Sequence, residues 1–140
     1  MSERPEVVRG DHAYLNAMCP VVSLETNGIV RIDFTQCDSI SLEAMQRSYS
    51  KHAALCPGHK SPVLFVGGRV AAVEYKAQRF ASSPEICSVT AATAIVAQSF
   101  LERHLARMFL VYHRPPYPVQ LFGNENEART WLNGFLPASV

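Results

Sequence analysis

The run Pro62-Val63-Leu64-Phe65-Val66, closed by Gly67-Gly68, offers no polar residue at either set of alternate positions. A strand of that kind is covered on both faces, the condition of a central strand in a largely parallel sheet rather than of a surface ribbon. Parallel neighbours are joined by crossovers that carry helices, and helical spacing flanks the run on both sides. Upstream, Ser41 is the expected N-cap, and Glu43 lies in the first turn where the helix dipole favours an anion. Met45, Tyr49, His52 or Ala53, and Cys56 form the apolar stripe of that helix, and Pro57-Gly58 stops it. Downstream, Val73, Ala77, Phe80 and Ala81 predict a second helix over residues 72–81, ended by Ser82-Ser83-Pro84.

The same alternation continues toward the C-terminus. Residues 89–96, built of Val, Thr, Ala and Ile, read as a third core strand, although their alanines would also suit a helix. Ser99 stands three residues before Glu102, the capping-box spacing, and Leu101, Leu105, Met108, Phe109 and Tyr112 predict the stripe of a third helix. Arg114-Pro115-Pro116 breaks it, and Pro115-Pro116-Tyr117-Pro118 stiffens the approach to a last strand, Val119-Gln120-Leu121-Phe122, closed by Gly123. Asn124 caps a fourth helix whose inner face is Ala128, Trp131, Leu132 and Phe135.

Toward the N-terminus, Val21-Val22-Ser23-Leu24 and residues 29–34 enclose Asn27-Gly28, a strong hairpin cue that predicts a type I′ turn. In the second run Ile29, Arg31 and Asp33 alternate with Val30, Ile32 and Phe34, so one face is mainly polar. The predicted order is hairpin, helix, strand, helix, strand, helix, strand, helix. That order implies an α/β fold: a mixed, mostly parallel five-stranded sheet with an antiparallel N-terminal edge hairpin and four helices. Residues 1–18 carry no period and are expected to form a poorly ordered or strand-like arm, with residues 19–140 as one domain.

Composition narrows the function classes without naming one. Of the 140 residues, 48% are hydrophobic and 18% charged, which suits one ordinary globular domain rather than a disordered or fibrous chain. Thirteen cations against 12 anions leave a formal charge of +1, too weak a field for holding nucleic acid or an anionic membrane by charge alone. No apolar stretch approaches the roughly 20 residues of a membrane span. Cys19, Cys37, Cys56 and Cys87 include no C-x-x-C pair, so reduced thiols in a cytoplasmic protein are the simplest expectation, with disulfides left open.

Several segments together resemble a bacterial family of small uncharacterised proteins of STAS/SEC14-domain-like type. They are Asn27-Gly28-Ile29, Pro62-Val63-Leu64, Ala77-Gln78-Arg79-Phe80-Ala81-Ser82, Arg114-Pro115-Pro116-Tyr117-Pro118 running into Leu121-Phe122, and Glu127-Ala128 with Trp131-Leu132. The resemblance spans roughly residues 21–135, and its most specific part is the Pro-Pro-Tyr-Pro and Glu-Ala-x-x-Trp-Leu pair. It implies the βα superhelix of anti-sigma-factor antagonists, in agreement with the order above. It also implies that regulatory relatives carry a phosphorylatable serine after a central strand, where a kinase or anti-sigma partner binds. Here residues 67–74 read Gly-Gly-Arg-Val-Ala-Ala-Val-Glu, without Ser or Thr, so the phosphoacceptor does not carry over. An aspartate common in the narrower family near that strand end is also replaced, by Val66-Gly67-Gly68.

Gly67, Gly68 and Arg69 form the candidate ligand site, since they lie at the carboxyl end of a central strand ahead of an expected helix. Bare amides beside an arginine suit an anion, and a plain strand-to-helix turn is the competing reading that the short Gly-Gly favours. Cys56 and His59 make a C-x-x-H pair, but a metal needs three or four ligands and no second pair stands at metal spacing. Neither Cys56 nor His12, His52, His59, His104 or His113 acquires a catalytic partner from sequence. Arg103, Arg107 and His113-Arg114 suit a solvated helix end. The expectation is a non-enzymatic, regulatory or protein-interaction domain, able to dimerise through an edge or helix face, without cofactor or metal. The alternative is a module holding a small anionic or lipid-like ligand near Gly67, Gly68 and Arg69.

Overall fold

A computed structural model describes residues 19–137, so the arm expected over residues 1–18 lies outside the described residues. The elements are β1 (Val21–Leu24), β2 (Val30–Asp33), β3 (Ser39–Ile40), α1 (Leu42–Leu55), β4 (Ser61–Val66), β5 (Ala72–Val73), α2 (Tyr75–Ala81), α3 (Pro84–Val89), β6 (Thr90–Val96), α4 (Phe100–His113), β7 (Val119–Phe122) and α5 (Glu125–Leu132). A 3-10 turn, Asn133–Phe135, follows. The main sheet has the order β1-β2-β4-β6-β7, with β1 antiparallel and the other pairs parallel. From β2 onward each new strand adds on the same side. Right-handed crossovers then deliver every connecting helix to one face. Residues of α1, α2 and α4 accordingly pack with Val30, Ile32, Phe34 and Val63 in one cluster. The opposite face is left to α5, whose Ala128 and Leu132 cover Leu64, Val66, Ala92, Ala94 and Val96.

Alternation along β2 and β4 sets this partition. Leu64 is fully buried on the α5 side while Val63 is buried on the other, as a strand covered on both faces requires. On β2 the polar set, Arg31 and Asp33, meets α5 in an ion-pair ladder. The Arg31 guanidinium reaches Asp33 at 2.6 Å and Glu125 at 2.9 Å, and Arg129 reaches Glu125 at 2.9 Å and Glu25 at 2.8 Å. The ladder ties α5 to the hairpin turn. Hydrogen bonds from Arg31, followed by the charges of Arg31 and Arg129, hold the Glu125 carboxyl below its ordinary value.

Several expectations need correction. Five helices, not four, occur among the described residues, because Ser82-Ser83-Pro84 does more than end α2. Ser83 caps α3, its hydroxyl accepting from the Ile86 amide at 3.4 Å with Pro84 in the first turn, and the third core strand starts at Thr90. The second helix begins at Tyr75 rather than near Ala72, since Ala72 and Val73 pair in parallel with Ser39 and Ile40 as a separate two-stranded sheet. The hairpin turn is not type I′. Only Gly28 of the Asn27-Gly28 pair has positive φ, at 102°, and the Gly28 amide donates to Glu25 at 3.0 Å, as in a three-residue loop with a glycine bulge.

Cys19 and Cys37 form a disulfide with their Cα atoms 6.0 Å apart. The antiparallel register, Val21 opposite Asp33, brings the chain before β1 beside the chain after β2. The premise of four reduced thiols is therefore corrected; Cys56 and Cys87 are free.

Removing the cover that α5 gives the sheet is expected to be costly. Leu132→Ala, at a fully buried position, should lower unfolding free energy by about 2–5 kcal/mol in urea titrations. Glu125→Gln, in a half-exposed ladder, should cost less than about 1 kcal/mol and lose that effect in high salt.

Candidate functional site

Between the sheet and α1 to α4 the packing leaves a cavity of about 180 Å³. Interiors seldom leave voids larger than a water molecule, and a dry cavity of about 150 Å³ accepts benzene. The sheet contributes Ile32, Val63 and Phe65, and the helices contribute Met45, Tyr49, Leu105 and Phe109 together with the small residues Ala77, Ala81 and Ala106. Tyr117, from Pro115-Pro116-Tyr117-Pro118, shuts one side by donating its hydroxyl to the Ala81 carbonyl at 2.7 Å. Burial, with some help from the charge of Cys87, pushes that phenol well above its ordinary range, against a hydrogen bond from Thr93.

Two buried side chains carry the chemistry of this cavity. Glu102, in the first turn of α4, is 6% exposed, and its Oε2 accepts from the Val70 amide at 3.2 Å. Its Oε1 is buried with no hydrogen-bond partner among the described residues. The backbone amide of Glu102 caps on Ser99 Oγ at 3.1 Å, as the spacing predicts, but the carboxyl turns inward instead of completing the capping box. His52, on α1, is 2% exposed, and its Nε2 has no partner among the described residues. Desolvation first, and then the nearby charge of His59, lowers its pKa from 6.5 to about 4, against a hydrogen bond to Val89. His52 is therefore neutral near pH 7.

Of the residues singled out from sequence, Gly67 lines the cavity, and Gly68 and Arg69 are exposed outside it. The Gly67 amide is already used, donating to the Val96 carbonyl at 3.2 Å, and a Cβ at Gly67 would collide with Glu102 Oε2. The helix expected directly after this strand end is not there, because β5 intervenes and α2 starts only at Tyr75. Cys56 is buried and His59 exposed, and among the described residues no three of His, Cys, Asp and Glu come together to hold a metal ion. His12 lies outside the described residues.

Glu102 and His52 were not candidates on sequence, and each had a signal. The inward stripe of α4 is Glu102, Leu105, Ala106 and Phe109, at spacings of three, one and three. Leu101 and Tyr112, expected inside, are 45% and 73% exposed. An acid in phase with a helix's apolar stripe is the visible mark of an inward carboxyl. On α1 the buried set Met45, Ser48 and His52 settles the choice between His52 and Ala53.

A family model described as "Domain of unknown function (DUF7793)" matches residues 22–136. The chain belongs to this family. Among solved structures, an uncharacterised protein of the DUF3478 family with a SpoIIAA-like fold, from Shewanella loihica PV-4, superposes with a TM-score of 0.55 at 13% identity. The match covers 81% of this chain and 92% of that one, and it shows the STAS-like fold. A protein of unknown function from Arthrobacter sp. FB24 is 25% identical over 79% of this chain and 90% of its own, with a TM-score of 0.29. No curated protein matches. No helix among the described residues of this DUF7793 chain is long and apolar enough to cross a membrane.

The neutral, buried His52 predicts an acid-sensitive stability. Its folded pKa is below its unfolded one, so the stabilisation is complete above pH 6.5 and is lost as pH falls toward about 4. The loss should total roughly 3 kcal/mol. Urea unfolding across that window should show the slope in the wild type and a flatter one in His52→Gln; equal slopes would remove the assignment.

Proposed function

We propose that the chain is a non-enzymatic, STAS-like interaction domain, acting in a regulatory setting through protein contacts, and that a second copy of itself docks on the outer face of α4. The observation that carries this reading is the set of large exposed apolar side chains at the two ends of that helix, with exposed His104 and Arg107 between them. Phe100 is 80% exposed, Val111 60% and Tyr112 73%, with Leu101 on the same helix. Tyr75, 66% exposed, extends the surface from α2, its ring 5.6 Å from that of His113. Single exposed apolar residues are ordinary, whereas several large ones on one helix and its neighbour mark an interaction surface. A net charge of +1 opposes self-association only weakly. The reading includes no phosphoswitch, since residues 67–74 supply no hydroxyl.

Sedimentation velocity between about 1 and 100 µM should show the protein moving toward a dimer. Val111→Glu with Tyr112→Glu should weaken that association by roughly tenfold or more, since charges would enter an apolar contact. A monomer at every concentration would remove the docking reading.

The second reading is a small-ligand module at the Gly67 end of β4, favoured by the cavity that reaches this glycine. Pockets at strand ends in open α/β sheets are common ligand sites. In this reading the ligand sits inside the fold, against Gly67 and Glu102, with Gly68 and Arg69 at the surface.

A further inference from the structure

We infer that the cavity binds a compact, apolar molecule that carries an N–H or O–H donor, of the aromatic amine, phenol or indole kind. The inference rests on the ligand-module reading and adds the chemistry of the ligand. Two independent atoms carry it, Glu102 Oε1 and His52 Nε2, both buried, both without a partner among the described residues, and both on residues that line the cavity. An unpartnered buried polar atom costs free energy comparable to a lost hydrogen bond, and these two sit in mostly apolar walls.

Their polarity selects the ligand. Glu102 Oε2 is engaged by the Val70 amide, which leaves Oε1 as a free acceptor. His52 Nε2 is a second ring atom without a partner, able to accept or donate according to its tautomer. The Glu102 acceptor calls for a donor. An anion would instead meet the Glu102 carboxyl, so the cavity disfavours it. Size limits the body of the molecule. A volume of about 180 Å³ is below the roughly 300–1,000 Å³ of drug-sized sites. It is slightly above the benzene-sized cavity of about 150 Å³. A ring with a short substituent fits, and a long acyl chain does not.

Three isosteric probes isolate the donor: indole carries an N–H, benzofuran an oxygen and indene a methylene at the same ring position. Amide chemical-shift titrations of the whole chain should show saturable shifts at Gly67, Val70 and Ala106, with indole bound about tenfold or more tighter than benzofuran or indene. In Glu102→Gln the carboxamide oxygen can keep the Val70 amide and turn its NH2 inward. Indole should then lose roughly tenfold and benzofuran gain relative to it. Equal binding of all three probes to the wild type would overturn the donor assignment and leave the ligand-module reading standing. No shifts with any probe at millimolar concentration would overturn both. Because the probe comparison is made on the wild type, it does not depend on the variant folding.

Discussion

Strand β4 is buried on both faces, and the rest of the fold is arranged to satisfy that demand. Val63 and Phe65 need cover on one side, Leu64 and Val66 on the other. Because the sheet grows in one direction from β2 to β7, the right-handed crossovers crowd α1 to α4 onto the first side. Only the chain left after the last strand is free to cover the second, and α5 does so with Ala128 and Leu132 fully buried. The ladder from Glu25 through Arg129, Glu125 and Arg31 to Asp33 then fixes where α5 lies across β2. Its members are half exposed, so it acts more as a positioning device than as a source of stability.

The order of the main strands along the chain and the principal helices were legible because they rest on signals that local context rarely overrides: the uninterrupted run through Val66, the β2 alternation, and the Ser41, Ser99 and Asn124 caps. The misread elements are those decided by tertiary contacts. Ala72 and Val73 have good helical spacing to Ala77, yet the chance to pair with Ser39 and Ile40 holds them extended. Ser82-Ser83-Pro84 is equally a stop and a start, because serine before proline ends one helix in the grammar that begins the next. The Cys19–Cys37 pairing follows from strand register, which residue spacing alone does not encode.

The candidate site was legible only at one residue. Gly67 drew notice as half of a flexible Gly-Gly, and the structure gives that glycine a more specific reason. It lies where the Glu102 side chain crosses the end of β4 to reach the Val70 amide, and a Cβ there would push the Glu102 carboxyl from its place. The acid was obscured by its own position, three residues after Ser99, where a capping role explained it completely. Backbone capping and inward burial turn out to be compatible at one residue, because the amide of Glu102 serves the first while its carboxyl serves the second.

A space of about 180 Å³ between the sheet and the helices forgoes dispersion contacts for the side chains that line it. Filling it would need only larger side chains at Ala77, Ala81 or Ala106, each on a helix where leucine is an excellent former. A sequence that keeps alanines at these positions and leaves Glu102 Oε1 and His52 Nε2 without partners beside the space is poorly explained by stability alone. The helix that closes the cavity with Glu102, Leu105 and Phe109 is also the one that turns Phe100, Val111 and Tyr112 to solvent. An occupant pressed against the inner face of α4 and a partner on its outer face would therefore bias the same helix, and any such coupling is reciprocal in free energy.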